Sequence, residues 1–276
     1  MREMTEYELY QLMELPNEVA NLLLDYKERR DITIPLSIRN KILNPKTWDE
    51  GISDLEKLLV NDNDGIGVLW ELLYIVRAYS YYEYINRFIP LDIFIATMKF
   101  CTRFLHEHYE TFNTYKFIWA WWFPRQIALK EFRIGSLEYE FIEGEEKEIA
   151  IHIPSDANLN PNAIITSLRE FIEFQQDYFP EWKNTPLTCN TWMLMPEIAN
   201  LINKESNLVF FQNLFTVDDI RYDETWYMDW IYPGYKGNKE SLPEDTSLQR
   251  NLKQHLLLGE KFGIAKGHIS SIKDIL

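Results

Sequence analysis

Four side chains in the second half of the chain have types that can move a proton or take up an acyl group. His152 stands in the alternating run E-I-A-I-H-I-P, residues 148–154. An imidazole titrates near neutral pH, so it suits removal of a proton from an amine. The bland reading of the same alternation puts His152 opposite Ile151 and Ile153, on a solvent-facing or helix-covered side with no role. Asp229 and Tyr227 share the run T-W-Y-M-D-W-I-Y, residues 225–232, which reads as a strand. There Asp229 would have the chemistry of a base if burial raised its pKa, with Tyr227 on the same face as general acid. Against that stand an exposed edge-strand acid and a packed ring. Cys189 lies in T-P-L-T-C-N-T-W-M-L. A thiolate can carry an acyl group, but it needs a base and an electropositive setting, and no His lies near it in sequence. A small buried apolar residue is the simpler account.

Elements of two kinds must position these groups. Up to residue 124 the apolar spacing is helical. Leu9, Leu12, Met13, Val19, Leu22 and Leu23 recur at three and four, with Pro16 dividing the run. Residues 52–60, 64–90 and the stretch after Pro90 repeat the pattern, and no convincing strand interrupts it. From residue 125 the pattern changes. F-R-I-G-S-L-E-Y-E-F, residues 132–141, alternates with a slip at Gly135–Ser136 that predicts a bulge or twist. The run ending at His152 reads as its antiparallel partner. Asn160 and Pro161 then open a helix to about residue 178. Strands are expected over Cys189, over 225–232 and over 261–269, with helices at 206–215 and 247–258. The fold class is therefore α+β: an all-helical domain over 1–124, then a mixed α/β domain over 125–276.

Composition narrows the function. Hydrophobic residues are 46% and aromatics 15%, enough for large cores, so the chain is not a disordered one. A net charge of −15 disfavours phosphate backbones and anionic membranes, which excludes nucleic acid and membrane as expected partners. It leaves room for a local basic pocket holding an anionic cofactor. Two distant cysteines give neither a disulfide framework nor metal spacing, and the acidic N-terminus is not a signal peptide. The expectation is a cytoplasmic protein without a metal.

Several blocks carry a resemblance. They are F-R-I-G-S-L-E-Y-E from Phe132, I-H-I-P-S-D-A-N-L-N-P from Ile151, C-N-T-W-M-L-M-P-E-I from Cys189, S-N-L-V-F-F-Q-N-L-F from Ser206, L-P-E-D-T-S-L-Q-R from Leu242 and H-L-L-L-G from His255. In this order they resemble the GNAT-like C-terminal domain of a bacterial family of acyltransferase domain-containing proteins. The helical first half is similar to that family's N-terminal domain. The resemblance implies a GNAT-type fold and transfer of an acyl group from acyl-CoA or acetyl-CoA to the amine of a small molecule or peptide. It implies a base such as His152 or Asp229 and an oxyanion held by backbone N–H groups. Cofactor contacts would fall in the loop after His152, at Ile153, Ser155, Ala157, Asn158, Asn160 and Asn162. The chain departs from the GNAT pattern there. The pyrophosphate string R/Q-x-x-G-x-G/A is missing, and S-D-A-N-L-N-P has no glycine and one acid, Asp156. The alternative is a non-catalytic ligand- or protein-binding protein that kept the scaffold and lost the cofactor loop. A transferase or hydrolase using Cys189 is a third reading.

Overall fold

Pro16, Pro35 and Pro90 each stand immediately before a helix in the computed structural model, which describes residues 3–269. Proline's fixed φ and missing N–H make it tolerable only at that end of a helix. The described helices of the first half are α1 (Glu6–Leu12), α2 (Asn17–Arg29), α3 (Leu36–Ile42), α4 (Trp48–Leu58) and α5 (Ile66–Ile75). After a π-helical turn at Val76–Ser80 come α6 (Tyr81–Asn86), α7 (Leu91–Met98), α8 (Phe100–Phe112) and the short α9 (Pro124–Ile127). Strand β1 (Glu131–Ile134) follows.

Helix α5 is the centre of this half. Nine of its ten residues, Ile66 to Leu73 and Ile75, are buried, Glu71 among them. Asp62 starts the helix by accepting the Gly67 and Val68 N–H groups at 2.9 and 2.7 Å. Glu71 is 1% exposed and is held by Arg30 and Arg39 at 2.8 and 2.9 Å. Trp119 stacks on Phe104 of α8, ring centroids 4.3 Å apart.

The chain divides into two compact units between Ile134 and Gly135, whereas the sequence pattern places its change at 124/125. The second unit contains β2 (Leu137–Glu143), β3 (Lys147–His152), α10 (Pro161–Tyr178), β4 (Leu187–Thr191), α11 (Ile198–Leu201) and α12 (Asn207–Gln212). It continues with β5 (Thr216–Arg221), α13 (Tyr227–Ile231), α14 (Ser247–Leu257) and β6 (Ile264–His268). Its strands lie in the order β2-β3-β4-β6-β5. The β3–β4 pair is parallel, and β2–β3, β4–β6 and β5–β6 are antiparallel. An all-helical first half followed by a mixed α/β sheet is the architecture the sequence pattern implies.

One face of this sheet is apolar. Tyr139 and Phe141 of β2, and Ile149 and Ile151 of β3, are buried on the side where Phe171 of α10 packs. The other face carries Glu138, Glu140, His152, Thr188, Asn190, Lys266 and His268, as the pairings Glu138↔His152, Ala150↔Thr188, Thr188↔His268 and Asn190↔Lys266 require.

Three local expectations change. The slip at Gly135–Ser136 is a turn between two strands, with Gly135 at φ +59°, where a side chain would be strained. Residues 225–232 do not form a strand. Tyr227–Ile231 coils as α13 despite its aromatic content, and the buried residues of that helix, Tyr227 and Ile231, are four apart. The strand β5, T-V-D-D-I-R, has no counterpart in the sequence pattern: it is an edge strand with no buried residue and a register shift between Val217 and Asp219 that destroys the alternation. Among the described helices none is long and apolar enough to cross a membrane.

Candidate functional site

The parallel strands β3 and β4 pair at Ile149↔Leu187 and Ala150↔Thr188 and then part. Beyond that point β3 continues on β2 alone, through Tyr139↔Ile151 and Glu138↔His152. Strand β4 continues on β6 alone, through Cys189↔Gly267, Asn190↔Lys266 and Thr191↔Ala265. The β3-facing edge of β4 from Cys189 to Thr191 is thus outside the ladder at the carboxyl ends of both strands. In open α/β sheets that is where ligands bind.

His152 is the last residue of β3, at the opening. Its Nε2 lies 3.0 Å from Oε2 of Glu140, two residues along the neighbouring strand from its direct partner Glu138. The side chains are 27% and 9% exposed, so the contact is largely shielded from water. Farther along the same face, Lys266 donates to Glu148 at 2.7 Å, and Thr188 donates to the same carboxylate oxygen at 3.2 Å. At the far edge Arg221 donates to Asn190 Oδ1 at 3.0 Å, and Asp218 holds His268 at 2.9 Å. The face therefore offers an imidazole backed by a carboxylate at the parting of the strands, and paired charges beyond it.

The loop after His152 is folded on itself. The Ala157 N–H donates to Pro154 O at 2.9 Å, the Asn160 N–H to Asn158 Oδ1 at 3.0 Å, and the Asn162 N–H to Asn160 Oδ1 at 3.0 Å. Asn160 is the N-cap of α10 with Pro161 behind it, as the sequence indicates. Three of the six positions expected to cradle a diphosphate, Ala157, Asn160 and Asn162, thus have their N–H groups committed inside the loop. A phosphate needs converging donors that are not already taken.

The remaining candidates fall elsewhere. Asp229 is exposed on α13, outside the strands of the sheet. Tyr227 is buried on that helix, packed edge-on against Phe262 at 4.9 Å, and burial raises its pKa. It does not share a strand face with Asp229, since the segment is helical. Cys189 is 1% exposed, on the apolar side of β4, and burial alone pushes its thiol well above the ordinary range. A thiol held neutral in an apolar interior is not a nucleophile. Of the four, the structure leaves His152 in a chemically suitable place. Glu140 escapes the sequence reading, although alternation along residues 137–143 puts Glu138 and Glu140 on one face; only the hairpin register shows which of them reaches His152.

Comparison with known proteins adds the following. Residues 4–129 match the N-acyltransferase N-terminal domain, and residues 131–269 match the GNAT-like C-terminal domain. Among solved structures, an acyltransferase mutant in complex with octanoyl-CoA superposes with a TM-score of 0.76 at 16% identity, covering 95% of this chain and 86% of that one. An acyltransferase in complex with decanoyl-CoA and teicoplanin gives a TM-score of 0.70 at 16% identity, covering 96% of this chain and 99% of that one. The complex of an acyltransferase with CoA and 10C-teicoplanin gives 0.70 at 15%, with the same coverage. At such identities these structures establish a shared fold. No curated protein sequence matches the chain. With the GNAT-like model spanning half its length and the N-acyltransferase N-terminal model most of the rest, the chain belongs to the family of acyltransferases with a GNAT-like C-terminal domain.

Proposed function

We propose that this protein is an N-acyltransferase that moves an acyl group of medium length from acyl-CoA to an amine on a small-molecule or peptide acceptor. The observation that carries the reading is the parting of β3 and β4 with His152 at its lip. Parted parallel strands make a slot with backbone groups along one edge, suited to an extended thioester arm and to a developing oxyanion. The amine nitrogen attacks the thioester carbonyl, the C–N bond forms, and the C–S bond breaks. His152 takes the proton the amine loses and returns it to the departing CoA thiolate. The chain length follows the octanoyl and decanoyl donors of the structural relatives. Two free, buried cysteines accord with a reducing, cytoplasmic setting. The diphosphate would meet Ile153, Ser155 and Asn158 of the loop, with no N–H role for Ala157, Asn160 or Asn162.

A second reading, a binding protein that no longer uses CoA, is favoured by those three committed N–H groups. Thermal unfolding with octanoyl-CoA, decanoyl-CoA and acetyl-CoA separates the two. A donor present at about 100 times its Kd adds about 2.7 kcal/mol to stability. Thiol release from the stabilising donor, dependent on an added amine, is then expected. Absence of a shift with every donor would leave the binding protein.

A further inference from the structure

We infer that Asn190 is a catalytic residue whose Nδ2 group donates a hydrogen bond to the thioester carbonyl oxygen as that oxygen becomes negative, and that Arg221 is the positioning residue that turns the amide for this. The assignment rests on the acyl-transfer reading and adds a side-chain donor to the backbone groups of the opened edge.

Strand β4 has a neighbour on each side, yet Asn190 is exposed while Cys189 and Thr191 beside it are buried. It stands on the stretch of β4 that β3 has left. Carrying the pairing Ala150↔Thr188 two residues further brings His152 and Asn190 level, on one face of the sheet and on opposite sides of the opening. A thioester lying in the opening then has an imidazole on one side and an amide on the other.

The orientation of the amide follows from its neighbours. Lys266, the direct partner of Asn190 on β6, leans away to Glu148 at 2.7 Å. Arg221 reaches Asn190 instead and donates from Nη2 to Oδ1 at 3.0 Å. A guanidinium carries donors only, so the amide atom that faces it is the oxygen. The guanidinium is itself steadied by Glu224 at 3.4 Å and Asp219 at 3.9 Å. Arg221 lies on β5, beyond β6, so with Oδ1 held toward that side Nδ2 turns toward the side that β3 has vacated. Among the described residues Nδ2 has no hydrogen-bond partner. When the amine adds, the π pair of the carbonyl moves to oxygen as the C–N bond forms. It returns as the C–S bond breaks, and CoA leaves as a thiol with the proton the amine lost. An N–H aimed at that oxygen is worth most while the oxygen is charged, so it speeds the step without tightening the binding of the donor.

Asn190→Asp keeps the oxygen that Arg221 holds, and with it the tie between β4 and β5, but has no N–H to offer. If Asn190 only tied the strands, this variant would be as active as the wild type. It should instead lose roughly 10²–10³-fold in kcat, with KM for octanoyl-CoA nearly unchanged. Asn190→Ala removes the donor without adding a charge and is expected to fall as far. The side chain is exposed, so both variants should fold. Arg221→Met frees the amide to turn. It should lower kcat in the wild type and have little further effect in Asn190→Asp, because it acts through the amide. Arg221→Lys, which keeps a donor, should restore most of the activity. Wild-type kcat in Asn190→Asp would overturn the assignment. So would a loss in Asn190→Asp alone, which would trace the effect to the added charge. Equal losses from Arg221→Met in both backgrounds would overturn the positioning role. Turnover of octanoyl-CoA at one rate by wild type and both Asn190 variants would remove Asn190 and leave the acyl-transfer reading standing. Wild-type protein that neither binds nor turns over octanoyl-CoA, decanoyl-CoA or acetyl-CoA would remove both.

Discussion

Tyr139 of β2 lies flat on Phe171 of α10, ring centroids 3.9 Å apart and planes 5° from parallel, with the Tyr139 hydroxyl 3.0 Å from Ser167 Oγ. The contact ties the sheet to the helix that leads away from the His152 loop, and it sits on the opposite face of β2 from Glu140. Phe171→Ala removes a fully buried ring and is expected to cost about 3–5 kcal/mol. Tyr139→Phe keeps the stack and loses the hydroxyl contact, at about 1 kcal/mol. Urea unfolding measures both, and equal costs would mean that the hydroxyl contact is worth as much as the buried ring.

Glu71 tests how the helical unit is held. Arg30 and Arg39 each donate to one of its oxygens, and each guanidinium also lies over a ring of α5, Trp70 at 4.0 Å and Tyr74 at 4.2 Å. Removing the carboxylate leaves two cations against an apolar helix with their charge uncompensated. Glu71→Ala should therefore cost about 3–5 kcal/mol. A double change that also replaces Arg30 should cost less than the sum of the two single changes. Strict additivity would show that the ions do not work as a triad.

The two cysteines give a pH-dependent prediction. Burial pushes the Cys101 thiol from an ordinary value of 9.0 up to about 12, and raises Cys189 as well. Their folded values lie above their unfolded ones. Their contribution is therefore present in full below pH 9.0 and is lost as pH rises toward about 12, because the unfolded chain gives up protons that the folded chain keeps. Burial moves Tyr232 in the same direction, from 10.0 to about 12. The urea midpoint should fall across this range, and less steeply in Cys101→Ala. Only the thiolate reacts, and a rise from 9.0 to about 12 lowers the thiolate fraction of Cys101 at neutral pH. Labelling of native protein by a thiol reagent should accordingly run slower than in denaturant. Cys189→Ala should retain acyl transfer.

What is legible in the sequence follows from which signals are local. Pro16, Pro35 and Pro90 stop and start helices through their own covalent geometry, and Asn160, Ser206 and Thr246 cap helices with their own side chains. Those features need no neighbour. The segment containing Tyr227 and Asp229 misleads because aromatic residues favour strands in general, and only the packing of Tyr227 on Phe262 shows a helix face. Strand β5 is invisible because an exposed edge with Asp218 and Asp219 side by side carries no alternation. At the site, His152 is visible as a residue type. Its partner is not, since the choice between Glu138 and Glu140 depends on a hairpin register that no single strand contains. The sequence leaves the asparagines of the loop open to a ligand, but Asn158 and Asn160 use their side chains to close the turn beneath them.

The last prediction concerns how β6 reaches β5. A Cβ at Gly263 would stand 2.0 Å from the Arg221 carbonyl oxygen and 2.9 Å from Tyr222 Cα. Both are backbone atoms and cannot swing aside. Gly263→Ala should therefore push the end of β5 away from Ile264, breaking the pair Arg221↔Ile264 at a cost of about 1–3 kcal/mol. Gly259 provides the contrast. It has φ +84° and open space where a Cβ would stand, so Gly259→Ala meets only backbone strain, about 1–2 kcal/mol. Amide exchange tells the two mechanisms apart even where the total costs coincide. Gly263→Ala should expose the amides of the β5–β6 ladder to exchange, and through Arg221 loosen its hold on Asn190 at the open edge of β4. Gly259→Ala should leave that ladder protected, because its strain is confined to the turn after α14. Unchanged protection at Arg221 and Ile264 in Gly263→Ala would show that the strands can separate there without loss.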